Sequence, residues 1–324
     1  MVLFFRDRSA ASVFWVIILS IALHAHFFVH SPKVVTTNAD GLLFYILQPL
    51  NALPGIAIVI LYQAVLIIAA LRLNYVLNDL RMFNKSAFTT AMSYILVSSL
   101  FAQWNNLLPA LIIHIILIWL FAKVARLYNN PHPKTLVYNI GLIAGCSLLL
   151  MPALFTLPIF CLIALAILRP PRPDEWIILL LGIFTPFYFL CTALFLNDNL
   201  ALLFNFFPFT RFHFLVVEDK LPFIINFIMI GVFILVGFTI WQQNTGRMLI
   251  QSRRNWGVMI MLLLTMIPVL FVYKGDWIYI ALLFTMPIAA LASNLFLYPR
   301  RTFLPLFFFW LTIAAVVYNN WFVK

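Results

Sequence analysis

One aspartate and a short run of ionisable residues hold most of the polar chemistry that this chain can offer outside its apolar stretches. Asp40 stands in the polar segment 30–52, together with Lys33, Asn38, Gly41, Tyr45, Gln48 and Asn51. Much further along, segment 197–221 gathers Arg211, His213, Glu218, Asp219 and Lys220 behind a phenylalanine-rich stretch around Pro208. A carboxylate can take the proton of an attacking hydroxyl, and Arg or Lys can pair with a phosphate, Arg through two parallel N–H donors. Together these types suggest transfer of a group carried on a phosphate. Asp40 is then the expected catalytic base, and Arg211, His213, Lys220, Glu218 and Asp219 the expected substrate and phosphate ligands. A plainer pair of roles stays open: Asp40-Gly41 favours a turn, and Arg211 suits ordinary anionic headgroups.

Other candidates are weaker. His24, His26 and His30 follow one another at close spacing but lack acidic or thiol partners, so no metal centre is expected there. No cofactor is expected, with a divalent metal left open. Cys146, Cys161 and Cys191 all fall in apolar runs and read as small buried hydrophobes. His114 lies midway along another such run, where a hydrogen bond between helices is its expected role.

The elements that must position these residues are membrane helices. Hydrophobic residues make up 65% of the chain and charged ones 9%, and the mean hydropathy is +1.06. Soluble domains carry roughly 25% charged residues, so lipid must solvate much of this surface. Apolar runs long enough to cross a bilayer are read at 11–29, 54–71, 87–103, 107–123, 135–150, 152–168, 176–196, 222–241, 257–272, 277–296 and 303–321. The pair around Pro152 is short enough to be one broken element instead. An all-α bundle of about eleven spans in a single integral domain, 1–324, is the expected fold.

Orientation follows from the basic residues. With the N-terminus in the cytoplasm, fifteen of the 20 Lys and Arg fall on the inner side with four acids, giving +11, while five cations and five acids cancel on the outer side. Lys and Arg bias of this kind sets orientation, and it puts the C-terminus, Asp40 and segment 197–221 outside. The surplus charge is spread over short inner segments, so anionic lipid is the expected partner and nucleic acid is not. Segments 72–85 and 242–255 read as amphipathic pieces on the inner surface. The basic inner rim, Arg253 and Arg254 included, is also a candidate dock for a protein partner.

Within 107–196 stand RLYN at 126–129, PK at 133–134, NIG at 139–141, RPPRPDEW at 169–176 and TPFYFL at 185–190. These resemble an uncharacterised family of bacterial multi-pass inner-membrane proteins with no agreed function. The layout is also similar to the GT-C class of glycosyltransferases, which use polyprenyl-phosphate sugars. That similarity implies a catalytic acid in the first outward loop, which Asp40 matches, and a long outward loop after the seventh span, which 197–221 matches. It implies a bacterial inner-membrane location and a polyprenyl-phosphate sugar donor. A non-catalytic subunit or scaffold, and a permease uncoupled from ions, are the competing expectations, the latter because no charge lies midway along a span.

Overall fold

The computed structural model describes residues 2–7, 9–37, 40–199, 220–273, 275–299, 301 and 303–321, the side chains of 10, 220 and 221 excepted. The architecture is all-helical. In chain order the α-helices are α1 (Val2–Phe5), α2 (Ala10–Leu23), α3 (Leu42–Leu47), α4 (Gly55–Asp79), α5 (Thr89–Ser98), α6 (Pro109–Ala125) and α7 (Lys134–Leu150). They continue with α8 (Leu157–Leu168), α9 (Pro173–Leu196), α10 (Lys220–Asn244), α11 (Ile250–Val272), α12 (Trp277–Ala281), α13 (Thr285–Leu297) and α14 (Phe303–Trp321). Among the described residues there is no β-strand, only one isolated bridge between Val34 and Leu107.

Six elements are long and apolar enough to cross a bilayer: Gly55–Asp79, Pro173–Leu196, Pro222–Arg247, Ile250–Val272, Trp277–Leu297 and Phe303–Trp321. The protein is therefore of multi-pass membrane type. The apolar runs at 11–29, 107–123, 135–150 and 152–168 form shorter helical pieces of 10–17 residues. The run at 87–103 departs furthest from its expected form. Its helix, α5, has only ten residues, all of them buried, and the chain leaves it through a 3₁₀ turn at Ala102–Asn105. At 1.5 Å per residue such a helix covers roughly half the hydrocarbon thickness. Its apolar character serves burial among other helices, not contact with lipid.

The same distinction separates centre from periphery. In Trp277–Leu297, 83% of the most apolar window is buried, against 17% in Pro173–Leu196. Phe184, Tyr188, Phe189 and Leu196 of α9 accordingly point outward, as side chains do where acyl chains are the solvent.

Close helix contacts rest on glycine. A Cβ placed on Gly141 or Gly145 would overlap the carbonyl oxygens of Leu179 and Ile183, and one on Gly182 would overlap that of Tyr138. Gly141 and Gly145 form a G-x-x-x-G step, whose missing side chains let two backbones approach. Residue numbers rise together along this contact, so α7 and α9 run parallel, and α8 must carry the chain back between them.

Two of the amphipathic surface pieces take another form. Residues 72–79 are the last turns of α4, continuous with the spanning helix. Residues 242–255 are divided among the end of α10, a 3₁₀ turn at Thr245–Arg247 and the start of α11. In both places the helix runs past the apolar stretch into charged sequence, because nothing in 72–79 or 250–257 breaks it.

The loops gather into two groups at opposite ends of the bundle. One end joins Lys33 to Asn106 (3.1 Å), Trp104 to the Ile278 carbonyl (2.6 Å), Asn105 to Asn320 (2.8 Å) and Phe223 to Trp277 (ring centroids 5.2 Å). The other joins Arg6 to the carbonyls of Phe296 and Pro299 (2.8 and 3.1 Å). There too Lys85 meets Asp7 (2.9 Å), Trp256 meets the Met82 carbonyl (2.9 Å) and Arg254 meets that of Leu168 (3.2 Å). The first set holds few cations and the second holds most of them.

Candidate functional site

Asp40 belongs to the cation-poor end and is held by residues near and far. The Thr37 amide donates to its Oδ2 at 2.6 Å, and the Thr37 hydroxyl donates to the same oxygen at 3.1 Å. The Asp40 amide in turn donates to the Thr37 carbonyl at 2.9 Å. A carboxylate reaching back three residues to an N–H is one half of the capping-box pattern; the Thr37 hydroxyl here turns to the carboxylate and not to the Asp40 N–H. The spacing Thr37-x-x-Asp40 was the local signal for it.

The other oxygen, Oδ1, accepts from the Tyr273 hydroxyl at 2.6 Å, and that hydroxyl lies 3.1 Å from Thr37 Oγ1. Tyr273 ends α11, 233 positions away. No sequence signal links it to Asp40. Next in chain, Gly41 has φ +59°, and a Cβ there would collide with Pro152 Cδ and crowd the Leu149 and Leu150 carbonyls. The loop is thus pressed onto the α7–α8 turn at a position that only glycine fits. After it, α3 buries Leu43 and Leu47 and exposes Tyr45 and Ile46, an amphipathic helix of the kind that lies in a membrane interface.

Asp40 itself is 1% exposed. Burial pushes its pKa above the ordinary carboxylate range, and the Tyr273 and Thr37 hydrogen bonds pull part of the way back. Burial, then the adjoining carboxylate, raise the Tyr273 phenol. Beside the pair, lined by Pro109, Met151, Tyr279 and Ile280, is a space of about 10 Å³, near the lower limit for one water. In this conformation both oxygens are paired and a sugar hydroxyl has no room to reach them.

Arg211, His213, Glu218 and Asp219 lie outside the described residues, and of Lys220 only the backbone is described, as the first residue of α10. Their flanks are informative. Phe223 packs on Trp277 of α12, whose neighbours Tyr279 and Ile280 line the space beside Asp40. On the other flank α9 runs parallel to α7, whose C-terminal residues Leu149 and Leu150 abut Gly41. Both ends of segment 200–219 therefore start from the Asp40 end of the bundle.

Histidines inside the bundle have structural partners. His114 pairs with the Tyr94 hydroxyl (2.8 Å) and that of Thr285 (3.2 Å), joining α6 to α5 and α13. His24 meets the Ser20 carbonyl (2.8 Å) and the Tyr62 and Ser99 hydroxyls (both 3.3 Å). Among the described residues no group of three or more His, Cys, Asp or Glu is arranged to hold a metal ion.

At the opposite end, Glu175 stands in the first turn of α9, where a carboxylate suits the helix dipole. It is also half of a buried ion pair with Arg169 at 3.0 Å, their side chains 2% and 11% exposed. Arg169 further donates to the carbonyls of Leu127 and Asn130 (3.1 and 2.7 Å), tying the α6–α7 connection to the α8–α9 connection.

No known protein family matches this chain, and no curated protein or solved structure is similar to it. What fold and site define is a class: a polytopic helical membrane protein in which a buried loop carboxylate fastens the cation-poor end.

Proposed function

We propose that the chain crosses a bacterial inner membrane eleven times, with its N-terminus in the cytoplasm and its C-terminus outside. We further propose that its outward, cation-poor end handles a polyprenyl-phosphate-linked sugar by group transfer in the GT-C manner. The shorter helices would cross by tilting, or where neighbouring helices shield them from lipid. The observation that carries this reading is that both described flanks of segment 200–219 stand at the Asp40 end of the bundle. Segment 200–219, with Arg211, His213, Glu218 and Asp219, lies outside the described residues, and the proposal sets it and Lys220 beside the buried carboxylate. Transfer then requires Tyr273 to release Asp40, so that the freed oxygen takes the proton of the incoming hydroxyl.

The complete pairing of Asp40 favours a second reading, in which it only fastens the loop and the protein is a non-catalytic membrane subunit. Two variants separate the readings: Asp40→Asn and Tyr273→Phe, assayed for sugar transfer from a polyprenyl-phosphate donor in proteoliposomes. Transfer reading: wild type turns over, Asp40→Asn falls by at least about a hundredfold, and Tyr273→Phe, which keeps the base, retains turnover. Equal activity in Asp40→Asn and wild type removes Asp40 from the reaction. No turnover by any of the three supports the subunit reading.

A further inference from the structure

Three cations at the basic end line a crevice with no assigned role. It lies between α4 and α6, which run side by side toward this end, and encloses about 130 Å³. From α4 it takes Arg72, Tyr75 and Asp79, and from α6 Trp119, Lys123 and Arg126. On each helix the contributors fall three or four residues apart, so each set is one face.

Charge on these faces is unbalanced. Arg126 reaches Asp79 at 3.6 Å, both side chains about half exposed. Arg72 lies 5.9 Å from the Tyr75 ring centroid, and neither it nor Lys123 has an ion pair among the described residues. The C-terminal dipoles of α4 and α6 offset part of the positive charge, but three cations still face one carboxylate. A phosphodiester is the anion that suits two arginines and a lysine.

The surroundings specify what the phosphate is attached to. Trp119 and Tyr75 are 48% and 55% exposed at the rim, as aromatic residues are at headgroup depth. Leading away from Arg72 along α4, Ile68, Ile60 and Ile56 are exposed at multiples of four residues, a continuous apolar track for an acyl chain. We infer that this crevice binds the headgroup of an anionic glycerophospholipid, its phosphodiester between Arg72, Lys123 and Arg126 and its chains along α4. The inference rests on the reading above only for which leaflet supplies the lipid.

The test uses the full-length protein in detergent, titrated with a fluorescent short-chain phosphatidylglycerol, with phosphatidylcholine and inorganic phosphate as competitors. Each of Arg72→Gln, Lys123→Gln and Arg126→Gln is expected to weaken binding about fivefold. Asp79→Asn is expected to tighten it, a gain that misfolding cannot produce. Arg253→Gln/Arg254→Gln, elsewhere on the same end, should leave it unchanged. Unchanged affinity in the three cation variants, an equal loss in the Arg253/Arg254 control, or no gain from Asp79→Asn would overturn the site. So would displacement by inorganic phosphate at the concentration of the lipid, which would mark a free-anion site. Reporter tags that put this end outside would refute the proposed topology and leave the affinities as they are.

Discussion

The two ends of this bundle solve the same problem, closing loops over a membrane-type core, with different chemistry. At the Asp40 end closure is by hydrogen bonds and close fit: a carboxylate turned back onto Thr37, one long-range tyrosine, and a glycine pressed onto a neighbouring turn. At the basic end it is by arginine reaching across to carbonyls and carboxylates of other loops. An arginine can satisfy several acceptors at once and needs little local sequence support. A single carboxylate offers only two oxygens and saturates. The cation-rich end thus keeps Arg72 and Lys123 outside any ion pair among the described residues, whereas Asp40, the buried carboxylate of the other end, has both oxygens engaged.

The sharpest way to break the contrast is at the buried ion pair. Glu175→Ala leaves Arg169 charged and enclosed, which costs about 3–5 kcal/mol; thermal unfolding followed by near-ultraviolet circular dichroism in detergent should show a large drop in midpoint. An unchanged midpoint would mean that Arg169 is adequately served by Leu127 and Asn130 alone. Next comes Tyr273→Phe, which removes one donor to a buried carboxylate and should cost about 1.5–3 kcal/mol in the same measurement.

The Asp40 end should also respond to pH. Its carboxyl titrates higher in the folded protein than in the unfolded chain, so the folded form holds the proton more tightly. This contribution is fully present below the unfolded value and is lost as pH rises through the folded one. Wild type should thus lose stability upward from about pH 4, and Asp40→Asn should lack that slope. A parallel slope in both would assign it to another group. The smallest effect is expected at Lys85, paired to Asp7 with side chains 64% and 71% exposed. Lys85→Met should change stability by less than about 1 kcal/mol, and less again in high salt.

Much of this organisation was legible in the residues. Apolar runs marked the helices, because each must bury or lipid-solvate some twenty side chains. Some loops that the Lys and Arg bias assigns to one side also touch one another: Arg6 meets Phe296, Trp256 meets Met82 and Lys33 meets Asn106. Hydropathy could not say which apolar runs face lipid. The runs at 87–103 and 176–196 both read as spans, yet the helix in the first is wholly enclosed and that in the second mostly bare. Nor did it foresee Tyr273, since contacts over such separations leave no periodic trace. The G-x-x-x-G step at 141–145 and the Thr37-x-x-Asp40 spacing were readable and point to contacts that the apolar pattern alone does not.

The parallel seam of α7 and α9 constrains how the chain can be built. Two neighbours that point the same way cannot zip together as a hairpin while they emerge from an insertion channel. Gly141 and Gly145 must wait until α8 has doubled back and Gly182 has arrived. Until then a strip of bare backbone on α7 stands without its mate, open to whichever helix passes first. Quality-control proteases that sense unassembled segments should find their opening there, before the ninth helix docks and seals it.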